Sequence, residues 1–397
     1  MRGGGAGART TLRVGADAMA PALRRMLAGH RALLIRDAQV GVPPGTDGTP
    51  MVVVEAASVG AGSVADLAQR IRAERPSVLV ALGGGTVLDA AKLASLALAP
   101  GPLLDFVLTR AERSALVVLP PGTPPLEVIA IPSTLGTSSE TNAVAVLRND
   151  RGFRLVAGAP LRPAHAILDG GILASLPADA VQEGCLEALL RVAGFSTGRG
   201  GVRSRSHAVT LGCALVEVGN APEGTAGRRL RIARLSAATQ RSAALRGRDP
   251  YGARHWYIAN EVSFHLGVRK MTATAAIVAA VWARIVAGDV RWGQVERLAG
   301  FWAPVARRHR LPEDPAAGIA RLLDRWRIAR PPRPSAAALD MIAQAVIAAW
   351  GSAPPALPGL TCADIRELLD GADWRSQALS VPGSAIRADS DVLKERG

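Results

Sequence analysis

Three short segments of this chain place glycine, hydroxyl and charged residues at spacings that suit chemistry. The first is Gly83-Gly84-Gly85-Thr86-Val87-Leu88-Asp89-Ala90-Ala91-Lys92. An aliphatic run, Val78–Leu82, enters the three glycines, and an Ala- and Leu-rich helical pattern, Thr86–Ala99, leaves them. Glycine lets backbone approach a pyrophosphate, and a helix N-terminus offers free N–H groups at the positive end of its dipole. Thr86 can cap that helix and touch phosphate. Asp89 and Lys92 are i,i+3 neighbours able to pair on one face.

The second segment is Ile131-Pro132-Ser133-Thr134-Leu135-Gly136-Thr137-Ser138-Ser139-Glu140. A strand ending at a proline releases a loop dense in hydroxyls. Such a loop either lines a phosphate or ribose crevice at the carboxyl ends of parallel strands or is a plain Ser/Thr turn. The third is Asp37, which follows the aliphatic run Ala32–Ile35. A carboxylate there can accept hydrogen bonds from ribose hydroxyls and repel a 2′-phosphate, or simply be solvated.

The elements that must hold these residues follow from periodicity. Strands are expected at Ala32–Ile35, Met51–Val54, Val78–Leu82 and Val128–Ile131, with helical faces at Val64–Arg75 and Thr86–Ala99 between them. That alternation predicts a parallel sheet with helices on both faces. After Pro177 the strand-like runs stop. Helical patterns occupy 179–195, 204–219, 227–246, 253–267, 271–287, 292–309, 315–329, 335–350 and 361–371. The fold class expected is α/β, a Rossmann-like parallel-sheet domain followed by an all-helical domain. A flexible lead-in over 1–11, a cofactor domain over 12–177 and a helical substrate domain over 178–397 divide the chain. Pro331–Pro334 reads as a stiff connector.

Composition narrows the classes. The chain has 397 residues and a formal net charge of +14, from 47 basic and 33 acidic residues. Only Lys92, Lys270 and Lys394 are lysines, so 44 of the 47 are arginine (47 − 3). Ten arginines fall between 199 and 248, at positions 199, 203, 205, 228, 229, 231, 234, 241, 246 and 248. They read as solvated helix faces or as a surface for an acidic partner. No basic stretch is interleaved with aromatics, so nucleic acid is not expected as a partner. Cys185, Cys213 and Cys362 form no paired framework, which suits a reducing cytoplasm. The apolar run Met271–Ala283 is shorter than the roughly 20 residues of a membrane span and reads as a buried helix.

Taken together, the three segments resemble the iron-containing alcohol dehydrogenase family of the dehydroquinate synthase-like superfamily. That family's cofactor motif reads GGGSxxDxxK, its second loop reads close to IPTTAGTGSE, and its first strand ends in an Asp. Arg154 stands where the family often has Lys after a short hairpin. Ala166-Ile167-Leu168-Asp169 with Leu176-Pro177 matches the passage into the helical domain. Thr361-Cys362-Ala363-Asp364-Ile365 matches a late "T-x-x-D-I" helix start. The resemblance covers roughly residues 12–375. It implies a nicotinamide cofactor, NAD before NADP, with hydride exchange in the cleft between domains. The cofactor would be held by Asp37, Gly83, Gly84, Gly85, Thr86, Asp89, Lys92, Ser133, Thr134, Thr137, Ser138 and Arg154.

The chain departs from the family at the metal. Most members hold a divalent ion with an Asp and a His four residues apart, then two further His. Those positions read Glu187 and Arg191, then Asn260 and Thr274. A one-residue slip would bring Glu261 and His265 onto family positions instead. Arginine stays protonated and cannot ligate a metal, so no metal is expected on either register. Glu187 and Arg191 read as an i,i+4 ion pair, or Arg191 with Lys270 holds a substrate carboxylate. His265 either polarises a substrate hydroxyl or is structural. Lys270 either supplies an electrophile or base, or is solvated beside Arg269.

The activity expected is oxidation of a secondary alcohol or the reverse reduction, dependent on NAD and independent of metal. Glu187, Arg191, His265 and Lys270 are the expected catalytic and substrate-handling residues. The chain also resembles the dehydrogenases of daptide-type ribosomal peptide clusters, which implies a peptide C-terminal threonine or a hydroxy acid as substrate. A homodimer or a partner biosynthetic enzyme is the expected assembly, in the cytoplasm and off the membrane. The rival reading is a catalytically degenerate scaffold for a partner enzyme.

Overall fold

The computed structural model describes residues 9–198, 203–225, 227–245, 247, 249–351 and 356–375. Among the described residues nine strands are found, all before residue 170: β1 Thr11–Gly15, β2 Ala32–Asp37, β3 Met51–Val54, β4 Val78–Gly83, β5 Leu116–Val118, β6 Glu127–Pro132, β7 Val144–Asn149, β8 Gly152–Ala157 and β9 His165–Asp169. Six form a wholly parallel sheet in the order β1-β9-β6-β4-β2-β3. The smaller sheet, β5-β8-β7, contains the β7–β8 hairpin.

The central strands are aliphatic on both faces because both faces are covered. Val78, Val80 and Leu82 of β4 pack with Met19 and Leu23 of helix α1 (Met19–Leu27), while Leu79 and Ala81 join the opposite layer. That layer contains α2 (Ala61–Glu74), α3 (Gly85–Ser95) and α4 (Leu103–Ala111). Asp169 closes the unit. Its carboxylate caps the short α5 (Gly170–Leu173) and accepts the Met19 N–H at 2.8 Å.

From Ala178 the chain is helical. The nine periodic segments become α6 (Ala178–Thr197), α7 (Arg205–Asn220), α8 (Arg228–Arg241), α9 (His255–Leu266), α10 (Lys270–Val286), α11 (Val295–His309), α12 (Pro315–Arg325), α13 (Ala336–Val346) and α14 (Cys362–Asp370). Their ends carry capping chemistry. Ser204, Asp314 and Ser335 each accept an N–H of the first turn, and Thr361 with Asp364 forms a capping box. Their apolar faces share one core, which reaches the sheet domain at Leu135, Leu168 and Leu173. The Met271–Ala283 run is a buried helix, and among the described residues no helix is long and apolar enough to cross a membrane.

Four expectations change. The lead-in ends sooner, because Thr10 Oγ1 donates to Pro163 O at 2.8 Å and Thr11 pairs with His165 in β1; residues 1–8 lie outside the described residues. Asp37 ends the second strand of the chain, not the first. The Pro331–Pro334 segment is no mere spacer, since Pro332 bridges Arg375 and Arg333 pairs with Asp370 at 3.0 Å. The arginine-rich stretch is not simply solvated. Buried Arg228 donates to Val218 O and Gly219 O, Arg229 donates to Leu173 O and Ala174 O, and Arg241 reaches Thr10 O at 3.0 Å. Arg199, Arg246, Arg248 and Lys394 lie outside the described residues.

Candidate active site

The carboxyl ends of β4 and β6 lie side by side, with Gly83 opposite Pro132 and the Ser133 N–H donating to Gly83 O at 2.9 Å. Each strand end releases one of the two motif loops. Helix α3 begins at Gly85 with Gly84 as its N-cap, and no side chain caps it. Thr86 sits inside the first turn, so the capping role expected of it is not the one it plays. The N–H groups of Gly85, Thr86 and Val87 find no acceptor among the described residues. Uncapped first-turn N–H groups are an anion site.

The glycines are also required by the neighbouring loop. A methyl group on Gly85 would fall 2.7 Å from Thr137 Cγ2, and one on Gly84 would fall 3.1 Å from Thr134 Cγ2. One on Gly83 would meet Val87 at 2.8 Å and Asp37 Cβ at 3.1 Å. Gly83, Gly84, Gly85, Thr86, Asp37, Ser133, Thr134 and Thr137 therefore gather at one strand-end crevice. Asp37 is buried there, with Oδ1 accepting the Gln39 N–H at 3.1 Å. Free N–H groups at the turn and a carboxylate on the adjacent strand suit a pyrophosphate and a ribose, so these residues fit a dinucleotide.

Asp89 and Lys92 do other work. Buried Lys92 Nζ donates to Asp89 Oδ1 at 3.0 Å, Ser139 Oγ at 2.8 Å, Ser139 O at 3.2 Å and Asn142 Oδ1 at 3.1 Å, and also to Val144 O. Asp89 Oδ2 accepts the Val146 N–H at 2.8 Å. The pair staples the far end of the hydroxyl loop to α3 and β7, so its role is to position the loop and not to touch phosphate. Ser138 is spoken for as well. Held at φ 54, it places Oγ 2.7 Å from Ser236 Oγ of α8. Arg154 bonds within its own hairpin, to Asn149 and Arg151, and faces Glu261. In this structure the hydrogen bonds of these four residues run to the protein itself, where cofactor contacts were expected.

Arg191 of α6 is buried, and both of its terminal nitrogens are engaged. NH1 donates to Ser138 Oγ at 3.2 Å and Thr239 Oγ1 at 3.0 Å. NH2 donates to Gly136 O and to Thr137 O at 3.1 Å, and Glu187 Oε1 lies 3.6 Å away. The expectation that Arg191 holds a substrate carboxylate gives way. Its planar fork clamps the loop backbone from the helical domain. The Glu187–Arg191 pair does form, but buried instead of exposed. Burial pushes the Glu187 carboxyl up, against the pull of Arg191 and Lys270.

His265 is separated from this cluster. Its Nε2 lies 4.0 Å from Glu261 Oε2, and Glu261 Oε1 accepts from Trp350 Nε1 at 2.9 Å. Phe264 beside it packs edge-on against Phe153 of the hairpin, centroids 5.9 Å apart. Around α9, Trp256 lies roughly 180° and Asn260 roughly 140° from His265, and the Trp256 ring faces Lys270. Lys270 opens α10, half-buried, with Nζ 5.0 Å from the Trp256 ring centroid. Burial lowers its pKa while Glu187 and Asp89 raise it and Arg191 lowers it.

Sequence reasoning passed over two residues. Glu140 is buried, which pushes its carboxyl up to about 7 despite the nearby Arg191 and Lys92. Its signal was its place at the end of the hydroxyl motif. His255 is 2% exposed, its Nε2 has no partner, and burial with the Lys270 charge pushes it down to about 3.

The donor set does not suit a divalent metal. Of the four family positions only Glu187 offers a carboxylate. Arg191 is cationic, and Thr274 Oγ1 donates to Lys270 O at 2.8 Å. Among the described residues no three His, Cys, Asp or Glu side chains converge.

The family model for iron-containing alcohol dehydrogenases matches residues 57–170. Over 169 residues the chain is 37% identical to phosphonoacetaldehyde reductase of Streptomyces viridochromogenes, covering 42% of each protein. Over 101 residues it is 44% identical to the probable alcohol dehydrogenase EutG of Escherichia coli, covering 25% of this chain and 24% of that one. The chain thus matches under half the length of these curated relatives. Its fold is similar over 92% of its length to NADH-dependent butanol dehydrogenase A of Thermotoga maritima, covering 96% of that chain with a TM-score of 0.73 at 15% identity. It is similar over 94% to the archaeal Red Sea brine pool alcohol dehydrogenase ADH/D1, covering 99% of that chain with a TM-score of 0.75 at 17% identity. The family that the motifs resemble is the one whose model matches residues 57–170, and the likeness over most of the chain is one of fold.

Proposed function

We propose that this protein is a nicotinamide-dependent oxidoreductase that interconverts an alcohol and its aldehyde or ketone, using NAD and no resident metal. The observation that carries the reading is the uncapped first turn of α3 beside Asp37, built at adjacent strand ends of a parallel sheet. Gly84, Gly85 and Thr86 would bind the pyrophosphate, Asp37 the adenosine ribose, and Ser133, Thr134 and Thr137 would line the crevice. The bound cofactor would supply or accept a hydride.

The carboxylate-bearing substrates expected from the sequence rested on the fork of Arg191, with Lys270 beside it. With that guanidinium spent on the loop, the substrate class proposed is a neutral alcohol–carbonyl pair. A threonine-terminated peptide and small hydroxy acids become arms of a screen that follows NADH absorbance. Calorimetry with NAD, NADP and NADH, together with metal analysis of the purified chain, tests the rest. The reading expects NAD to bind more tightly than NADP and metal to be far below one ion per chain. No nucleotide binding, or one tightly held metal per chain, overturns it.

A further inference from the structure

Three cations surround the crevice, and two of them are saturated. Lys92 spends its ammonium on five oxygens, and Arg191 spends its fork on the 136–138 loop and Thr239. Lys270 is different. Among the described residues its Nζ makes no hydrogen bond or ion pair, and it sits over the Trp256 ring, 5.0 Å from the centroid. An ammonium has three donors and no acceptor, so this one carries unspent donors in a half-buried site. It lies one helical turn before Thr274 and within the electrostatic reach of Glu187, two positions where the family places its metal. Beside it is His255, also buried, with a ring nitrogen that has no partner.

We infer that Lys270 is a catalytic residue whose ammonium binds the substrate oxygen and takes over the electrophilic role of a metal. The inference deepens the proposed function and rests on it. In the reductive direction Lys270 donates a hydrogen bond to the carbonyl oxygen. A hydride from the reduced nicotinamide adds to the carbonyl carbon, and the C=O π pair moves onto oxygen. Lys270 gives that oxygen its N–H proton, yielding the alcohol, and the neutral amine recovers a proton from water. The carbonyl is reduced and the nicotinamide oxidised. Trp256 steadies the cation from below. The other charged and titratable groups facing it are Glu187, Arg191, Asp89 and His255. Glu187 and Asp89 favour the ammonium, and neutral His255 adds no repulsion.

Amine labelling and turnover test this together on the full chain. With three lysines to resolve, acetic anhydride labelling and peptide mapping report Lys270 directly. Lys270 should acetylate in the free protein and be protected several-fold by NAD with trifluoroethanol. With butanal and butan-2-one as probes, K270M should lose about 100-fold or more in kcat, the scale of a proton-transfer catalyst, with its NADH Kd unchanged. Methylamine should restore part of the turnover of K270A, and chelator-dialysed wild type should stay active. Lys270 that is not protected, K270M turnover within a few-fold of wild type, or activity that returns only with added iron or zinc overturns the role of Lys270. Wild type that binds no NADH instead overturns the proposed function itself, and with it this role.

Discussion

The guanidinium of Arg191 donates to the carbonyl oxygen of Thr137 at 3.1 Å, joining the first helix of the helical domain to the loop that packs on the glycine turn. The residue stands where the family that the motifs resemble has a metal ligand, and its donors close onto loop carbonyls and two hydroxyls.

Removing that clamp leaves the partly buried Glu187 carboxylate without its ion-pair partner and takes one donor from each of two loop carbonyls, Gly136 O keeping Ser236 Oγ and Thr137 O keeping Asn142 Nδ2. R191M should lose about 3–5 kcal/mol of stability. R191K should recover less than half, since a point charge cannot reproduce the fork. Urea unfolding checks both. Amide exchange at residues 136–139 should quicken in both variants ahead of the rest of the sheet.

Gly85 and Thr137 meet without room for a methyl group. G85A should weaken NADH binding by up to about 100-fold, the affinity equivalent of a 1–3 kcal/mol overpacking cost. T137S removes the opposing Cγ2, so the double variant should bind more tightly than G85A alone. A fluorescence titration of NADH decides it. Equal affinities for the single and double variants would show that the contact does not shape the site.

Glu140 gives stability a pH dependence of known sign. Its folded-state pKa is raised from 4.5 to about 7 by burial. Between those values the folded chain holds a proton that the unfolded chain has released. The stabilisation is full below pH 4.5 and is lost as pH rises through about 7. The whole swing is on the order of 3 kcal/mol. E140Q should match wild type near pH 4.5 and exceed it at pH 8 in urea midpoints.

Lys92 sits in a cage built for a single nitrogen. K92M should cost about 3–5 kcal/mol because Asp89 is then buried without its cation. K92R should not restore it, because a flat fork cannot point at five oxygens gathered round one atom. Thermal unfolding of the three proteins measures the difference.

Where structure follows from local pattern, the sequence was legible. Four strands of the larger sheet are continuous aliphatic runs, and nine helices follow from periodicity and caps. The turn at Gly83–Gly85 could be recognised because its signal lies within ten residues. Strand β1 (Thr11–Gly15) alternates polar and apolar residues, and strand β5 (Leu116–Val118) is only three residues long, so neither announces itself. Much of the site was hidden for a different reason. Lys92 meets Ser139 across 47 residues, Arg191 meets Ser138 across 53, and Lys270 meets Trp256 only because the turn at Gly267 folds α10 back on α9. Residue type announced that these cations matter, but partners that distant decide which of them remains available.

The 136–138 loop rests on the sheet domain but is fastened to α6 through Arg191 and to α8 through Ser236. Any swing of the helical half against the sheet half therefore drags one wall of the strand-end crevice with it. Opening that crevice and dismantling its wall would be a single movement.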